Sequence, residues 1–520
     1  MSVTPEIFQP NRESNPPTLP RRDVDKWVLI ALAVALLLTN RWFAFLEDEA
    51  NAIVVATAPA WHLVSMFLTG DYPHAHPPLP DILLHAWLLL TGSRMWLLRV
   101  PAIACYIAGI ALVKATAERL GGRTARTLVL WIAVLWPYGF HFGRLAGWFE
   151  FSFLSIALLT FTFIRAVDQT RFAPWVWFGV AGLVAIYSNL YAWAVLALLL
   201  VEVAIRRQRE MFTRCAVVLG ALAITYAPVW VFLVDTTRAN QGASHSGLQA
   251  LFLSLYNLYA VLLSESVAPW FLPLALPAIF AMIAAGVVLV GYARGFPRRL
   301  LIYFVVLLVG MAVANVISTK RVLMLTPWVL LGVALAASEM AKRRARATLL
   351  VSLGLIAAAG CVGIAARKYY VASHFIEPWR AVAQRAVPMW RSGGTVLSNS
   401  GPFLFYFAYA AGTPWTTANW SPDAQMMAPL VPRVVDPIRW RERGAPVTDR
   451  VLLVKGVDPF SPEATAWAEQ QLERLCSLQS VDWAVKDSGY AWKQRLFPNA
   501  GQVPWRVEVR QYRCDVTADK

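Results

Sequence analysis

Apolar blocks about as long as a bilayer is thick recur along this chain, and they constrain its fold more than any other feature. A helix rises about 1.5 Å per residue, so about 20 apolar residues cross the roughly 30 Å hydrocarbon layer. Such blocks lie near residues 27–46, 95–117, 127–142, 148–166, 173–189, 190–205, 215–235, 269–291, 299–317, 322–340 and 347–366. The pattern predicts an all-α polytopic membrane protein with about eleven transmembrane helices. Residues 173–205 form either one tilted helix or two short ones, because Tyr187-Ser188-Asn189 makes a polar break in the middle of that run.

Composition fits this reading, since 58% of the 520 residues are hydrophobic and only 15% charged, against about a quarter charged in soluble domains. A net charge of +16 would suit nucleic acid if the cations lined one face. They sit instead in short loops between apolar blocks, so no nucleic-acid partner is expected. The basic loops hold Arg21, Arg22 and Lys26; Lys114, Arg119, Arg123 and Arg126; Arg165 and Arg171; Arg206, Arg207, Arg209 and Arg214; Arg294, Arg298 and Arg299; and Lys342, Arg343, Arg344 and Arg346. These loops alternate with others poor in Lys and Arg, which places the basic set and the N-terminus in the cytoplasm. An odd number of spans then puts the C-terminal region outside. The first apolar block is too long, and lacks the cleavage site, for a removable signal peptide. It reads as a retained helix.

The chain divides into a cytoplasmic tail, 1–26, a transmembrane domain, 27–366, and an extracytoplasmic domain, 367–520. The first outer loop, 47–94, holds two short amphipathic segments, 52–67 and 80–90, suited to lying in the interface. A second outer loop, 236–268, carries an aromatic and leucine-rich stretch at 248–263. After residue 366 the pattern becomes that of a small α/β domain, with helical periodicity at 379–390 and 462–476 and strand-like runs at 395–398, 451–455 and 505–512. Among the five cysteines no CxxC pair or zinc spacing occurs. Cys105, Cys215 and Cys361 fall in apolar blocks and read as small core residues. Cys476 and Cys514 lie in the polar region, where an extracytoplasmic location allows them to pair.

Acidic residues at a membrane edge are costly unless solvated or used. Glu47, Asp48 and Glu49 cluster where the first span ends. They form either a solvated helix end or a general base, since a carboxylate close to like charges and partly desolvated titrates nearer neutrality. Downstream, Gly70-Asp71-Tyr72-Pro73-His74-Ala75-His76-Pro77-Pro78-Leu79 makes a rigid turn whose prolines fix the direction of the histidines. His74 and His76 are candidates to bind a divalent metal together with a carboxylate such as Asp48, or to donate to a phosphate.

The run EDEANAIVVA followed by GDYPHAHPPLPDILLHAWLLLTGSRMWLLRVPAIA resembles the first outer loop of the GT-C glycosyltransferases, specifically bacterial relatives of protein O-mannosyltransferase and aminoarabinose transferase. Those families share an Asp-Glu pair, a Gly-Asp turn, a Lys or His before Pro-Pro-Leu, and an Arg-Leu/Val-Pro opening to the second span. Here these are Asp48-Glu49, Gly70-Asp71, His76-Pro77-Pro78-Leu79 and Arg99-Val100-Pro101, with His76 where aminoarabinose transferases carry lysine. HFGRLAGWFEFSFLSIALL, with Arg144 and Glu150, and TKRVLMLTPWVLLGVALA, with Lys320 and Arg321, resemble later segments more loosely.

The resemblance implies a GT-C enzyme that moves a sugar from a polyprenyl-phosphate donor to a lipid A, glycan, lipid or protein acceptor outside the cytoplasm, inverting the anomeric carbon. Such chemistry needs a base for the acceptor proton and a cation for the departing lipid phosphate. Asp48 is the expected base, with Glu49 orienting it or the acceptor. Lys320 and Arg321, a basic pair at an outer span end and so against the charge rule, are expected at the phosphate, with His76, Arg99 and Arg144 as further candidates. Asp71, Tyr72, His74 and Glu150 are candidates for acceptor or sugar contacts. A transporter or flippase would carry midplane ionisable groups or an internal repeat, neither of which is evident, and an inactive scaffold would not need the Asp-Glu pair.

Overall fold

The computed structural model describes residues 22–43, 45–169, 171–234, 247–367, 379–420, 433–443, 448–456, 462–485 and 507–514. Most of the tail assigned to 1–26, the first part of the second long loop and the first two residues of the strand expected at 505–512 lie outside them. Contacts group the chain into two units. One comprises Met1–Leu38, Trp61–Ile82 and Arg99–Tyr369; the other comprises Thr39–Ala60, Leu83–Leu98 and Tyr370–Lys520.

The first unit is helical. Among the described residues, seven helices are by themselves long and apolar enough to cross a membrane: Val100–Leu135, Phe149–Val167, Arg209–Val234, Leu272–Tyr292, Gly295–Val313, Thr319–Glu339 and Arg343–Ala366. The block expected at 95–117 and the first part of that at 127–142 merge into Val100–Leu135, which breaks at Gly122 (φ 67°, ψ −161°), a conformation open to glycine, while Pro137–Phe142 forms a short helix of its own. The uncertain run at 173–205 forms two helices, Ala173–Ile186 and Ala192–Ile205. Between them the buried Asn189 accepts the Tyr191 N–H through Oδ1 at 2.8 Å, closing an Asx turn.

Packing and exposure follow the bilayer as solvent. Val100–Leu135 packs on Phe149–Val167 and on Thr326–Glu339, and Leu272–Tyr292 packs on Arg343–Ala366. A Cβ at Gly109 would stand 2.5 Å from the Phe153 ring and one at Gly360 2.4 Å from Pro137, so small residues set these helix approaches. Phe280, Ile283, Val287 and Val290 on Leu272–Tyr292 stay more than half exposed, as a lipid-facing stripe requires. At the basic ends of the helices several of the cations are ion-paired. Arg299 and Arg206 meet the buried Glu202, at 2.6 and 3.2 Å, and Arg119 meets Asp168 at 2.7 Å. Asp25 accepts from Arg126 and from Lys114.

The second unit contains a mixed sheet of β1 (Thr395–Ser398), β2 (Val434–Val435), β3 (Arg450–Lys455), β4 (Cys476–Val485) and β5 (Val507–Cys514) in the order β2-β1-β3-β5-β4. β1 pairs in parallel with β2 and β3, and β5 runs antiparallel to β3 and β4. Leu397, Val451, Leu453 and Tyr512 of the sheet pack with Trp440, Ala468 and Leu472 of the helices Pro437–Arg443 and Pro462–Leu475. Cys476 and Cys514 are partners in the β4–β5 register and form a disulfide. The helix Gly401–Ala411 is apolar on all sides and buried over 401–408, so it is a core element. It receives the segment before Glu47: Phe45 donates its N–H to the Tyr406 hydroxyl at 3.0 Å and lies against Phe405 at 5.2 Å between ring centroids.

Candidate functional site

The Gly-Asp turn is a helix terminus. Helix Ala60–Thr69 ends at Gly70, whose φ of +84° continues as a left-handed cap, and the Asp71 N–H returns to the Met66 carbonyl at 2.9 Å. Asp71 contributes its backbone to this cap while its side chain is exposed. The next residues turn inward. Tyr72 and His76 are buried, His74 is nearly so, and Pro77-Pro78 lead into helix Leu79–Thr91, whose first turn carries the fully buried Asp81.

Asp81 is the focus of this turn and was not singled out from sequence. Its Oδ2 accepts the Tyr72 hydroxyl, lies 3.0 Å from His74 Nδ1 and stands 3.9 Å from His76 Nε2. Burial pushes the carboxyl up, but the two histidines and the bonds from His74 and Tyr72 outweigh it and hold Asp81 below the usual carboxylate range. Burial and the Asp81 charge together hold the Tyr72 phenol well above the ordinary tyrosine value. His74, His76 and Asp81 bring their ligand atoms within 4.8 Å of one another. Among the described residues these three are grouped so that they could hold a cation, with Asp81 as the carboxylate beside the histidines.

Aromatic rings connect this turn to the late basic pair. The His76 ring lies 5.1 Å from Trp148, Trp148 lies 4.4 Å from Phe149, and Lys320 Nζ stands 5.8 Å above the Phe149 ring. Lys320 and Arg321 are half-buried in the short helix Thr319–Val322, where Arg321 donates to the Val316 carbonyl at 3.1 Å. Beside them Thr319 donates to Glu265 at 2.7 Å, and Glu265 also accepts from Tyr256 at 2.8 Å. Glu265 is buried in the left-handed region (φ +54°), which marks a constrained position. It too escaped the sequence reading, although an acid inside the apolar run 258–272 is a functional signal by default.

Other candidates have local work. Arg144 is fully buried and donates to the carbonyls of Phe140 (3.1 Å) and Leu36 (3.0 Å). Glu150 is fully buried and accepts the Leu145 N–H at 2.7 Å, closing the turn before helix Phe149–Val167. Arg99 is buried at the start of helix Val100–Leu135.

In the second unit, Asp48 and Glu49 occupy the first turn of helix Glu47–Val55, where backbone N–H groups favour carboxylates. Glu49 is fully buried, and its Oε2 accepts the Leu46 N–H at 2.9 Å. Asp48 is half-buried. The pair is thus divided in role, with Glu49 fastening the helix start and Asp48 left partly accessible to solvent.

Comparison with known proteins places this architecture. Residues 75–233 match the model of the family described as dolichyl-phosphate-mannose-protein mannosyltransferase. The fold is similar to the crystal structure of ArnT from Cupriavidus metallidurans bound to undecaprenyl phosphate, with a TM-score of 0.56 and 12% identity over 95% of this chain and 98% of that one. The apo structure of the same protein gives 0.55 and 13% over 94% and 98%. No curated protein sequence matches the chain. The architecture expected from the first loop, a helical region with membrane-length helices followed by a small domain containing a sheet, is the one observed.

Proposed function

We propose that this membrane protein of GT-C type transfers a sugar from a polyprenyl-phosphate donor to an acceptor at the extracytoplasmic face, with inversion at the anomeric carbon. The supporting observation is the series of His76, Trp148, Phe149 and Lys320, a row of histidine, aromatic and cationic groups of the kind that can receive a lipid phosphate. The likeness in fold to a protein solved with undecaprenyl phosphate supports the class of donor.

In this reading Asp48 takes the acceptor proton as the hydroxyl or amine attacks the anomeric carbon, and the donor's C–O bond breaks to release the lipid phosphate. Lys320 and Arg321 stabilise the charge that develops on that phosphate. Glu49 positions Asp48 by holding the helix start. His74 and Tyr72 anchor Asp81, while Arg99, Arg144 and Glu150 support the surrounding turns. The protein would lie in a bacterial inner membrane with its N-terminus cytoplasmic and its C-terminal domain periplasmic, and lipid A, another glycan, a lipid or a protein would be the acceptor class.

Two experiments test this. Purified protein in lipid nanodiscs, supplied with undecaprenyl-phosphate sugars and a panel of these acceptors, should release undecaprenyl phosphate as glycosylated acceptor appears; no release with any donor refutes the reading. A reporter active only in the periplasm, fused after residue 400, should be active, whereas activity of a cytoplasmic reporter at that point reverses the orientation.

A further inference from the structure

We infer that His74, His76 and Asp81 form a binding site for a divalent transition-metal cation of the zinc class. The His74, His76 and Asp81 ligand atoms lie within 4.8 Å of one another, and the buried Asp81 Oδ1 among them has no hydrogen-bond partner, which together carry the inference. His76 Nδ1 lies 3.0 Å from the Pro77 carbonyl, which leaves Nε2 turned toward Asp81 Oδ2 at 3.9 Å.

Tetrahedral zinc with bonds of about 2.1 Å separates its ligand atoms by about 3.4 Å; here Asp81 Oδ2 is 3.0 Å from His74 and 3.9 Å from His76 and the cluster as a whole spans up to 4.8 Å, so binding would draw the two imidazoles together. Asp81 Oδ1 is buried and has no hydrogen-bond partner, so the carboxylate keeps acceptor capacity for a metal beyond the bonds Oδ2 already accepts. Oδ2 is held by the Tyr72 hydroxyl, and His76 is oriented by a backbone carbonyl, the outer-shell arrangement that metal-ligating groups use. Two imidazoles and one carboxylate favour zinc over magnesium or calcium. Three protein ligands leave a fourth position for water or an anionic oxygen.

The test uses full-length, tag-free protein in detergent, equilibrated with zinc and dialysed, with metal content measured by mass spectrometry and cobalt substitution followed by visible absorption. Wild type should retain one equivalent of zinc per chain and give the intense visible bands of tetrahedral cobalt. Asp81→Asn and His76→Gln should each weaken zinc binding at least tenfold in competition with a chromophoric chelator, while His62→Gln, outside the cluster, should bind like wild type. If Asp81→Asn does not fold, the doubly substituted His74→Gln/His76→Gln protein takes its place. Folded wild type that holds neither zinc nor cobalt overturns the inference, as does undiminished binding by the variants. No arm depends on turnover, so a protein that binds zinc but transfers no sugar would refute the proposed function and leave the metal site intact.

Discussion

Replacing Glu49 separates a positioning role from a chemical one. Its carboxylate is fully buried and accepts the Leu46 N–H at 2.9 Å at the start of the helix that carries Asp48. A hydrogen bond to a charged group contributes about 1.5–3 kcal/mol, and leaving the donor unpaired in a buried place costs a similar amount. If that loss falls on alignment of the first turn, Glu49→Ala should reduce the aligned population, and with it kcat/KM, by roughly 10- to 100-fold. Glu49→Gln keeps an amide oxygen for the same N–H and should recover most of the activity. Donor turnover by the purified variants, with circular dichroism to confirm folding, provides the measurement. Equal loss in both variants would mean that the Glu49 charge itself takes part in the chemistry, and wild-type activity in Glu49→Ala would dissolve the link between this bond and Asp48.

Lys320→Met should lower kcat/KM about 10- to 100-fold through the loss of a charge-assisted contact and weaken inhibition by free undecaprenyl phosphate, while unchanged inhibition would remove Lys320 from the phosphate site. Glu202→Gln strips the shared counter-charge from Arg299 and Arg206; because Arg299 is 27% exposed, the expected cost is about 2 kcal/mol, below the full buried-pair value. It should lower the temperature at which detergent-purified protein loses monodispersity, and adding Arg299→Met should restore part of the loss. The disulfide spans a sequence separation of 38 residues, worth about 4 kcal/mol in chain entropy. Cys476→Ser should therefore lower the unfolding midpoint of the second unit, and wild type should change electrophoretic mobility on reduction; free thiols at both positions in native protein would contradict the pairing.

The sequence carried the membrane class because twenty-residue apolar blocks have few other uses, and the helices lie close to the blocks read from it. It carried the strands at 395–398 and 451–455 through their apolar runs and turn boundaries. It did not reveal Gly401–Ala411, because a short helix that is apolar on every side has no periodicity to detect. The first-loop motif drew attention to residues 70–79, which the structure folds into a helix cap and a buried turn. Asp71 was named for its place in a Gly-Asp pair, yet the structure uses its backbone for a helix cap. Asp81 lay five residues beyond His76 in what read as an interfacial segment, and only folding of the Pro-rich turn brings it to the histidines. Arg144 and Glu150 are legible as charges in an apolar chain, but the carbonyls and N–H groups that occupy them are set by tertiary structure alone.

The central claim, base catalysis of sugar transfer by Asp48, is tested most directly by comparing wild type and Asp48→Asn with a polyprenyl-phosphate sugar donor and an accepted acceptor. A general base contributes about 100- to 10,000-fold. Wild type should therefore yield product of inverted anomeric configuration while the folded variant loses turnover on that scale with little change in donor affinity. Equal turnover by Asp48→Asn would contradict it.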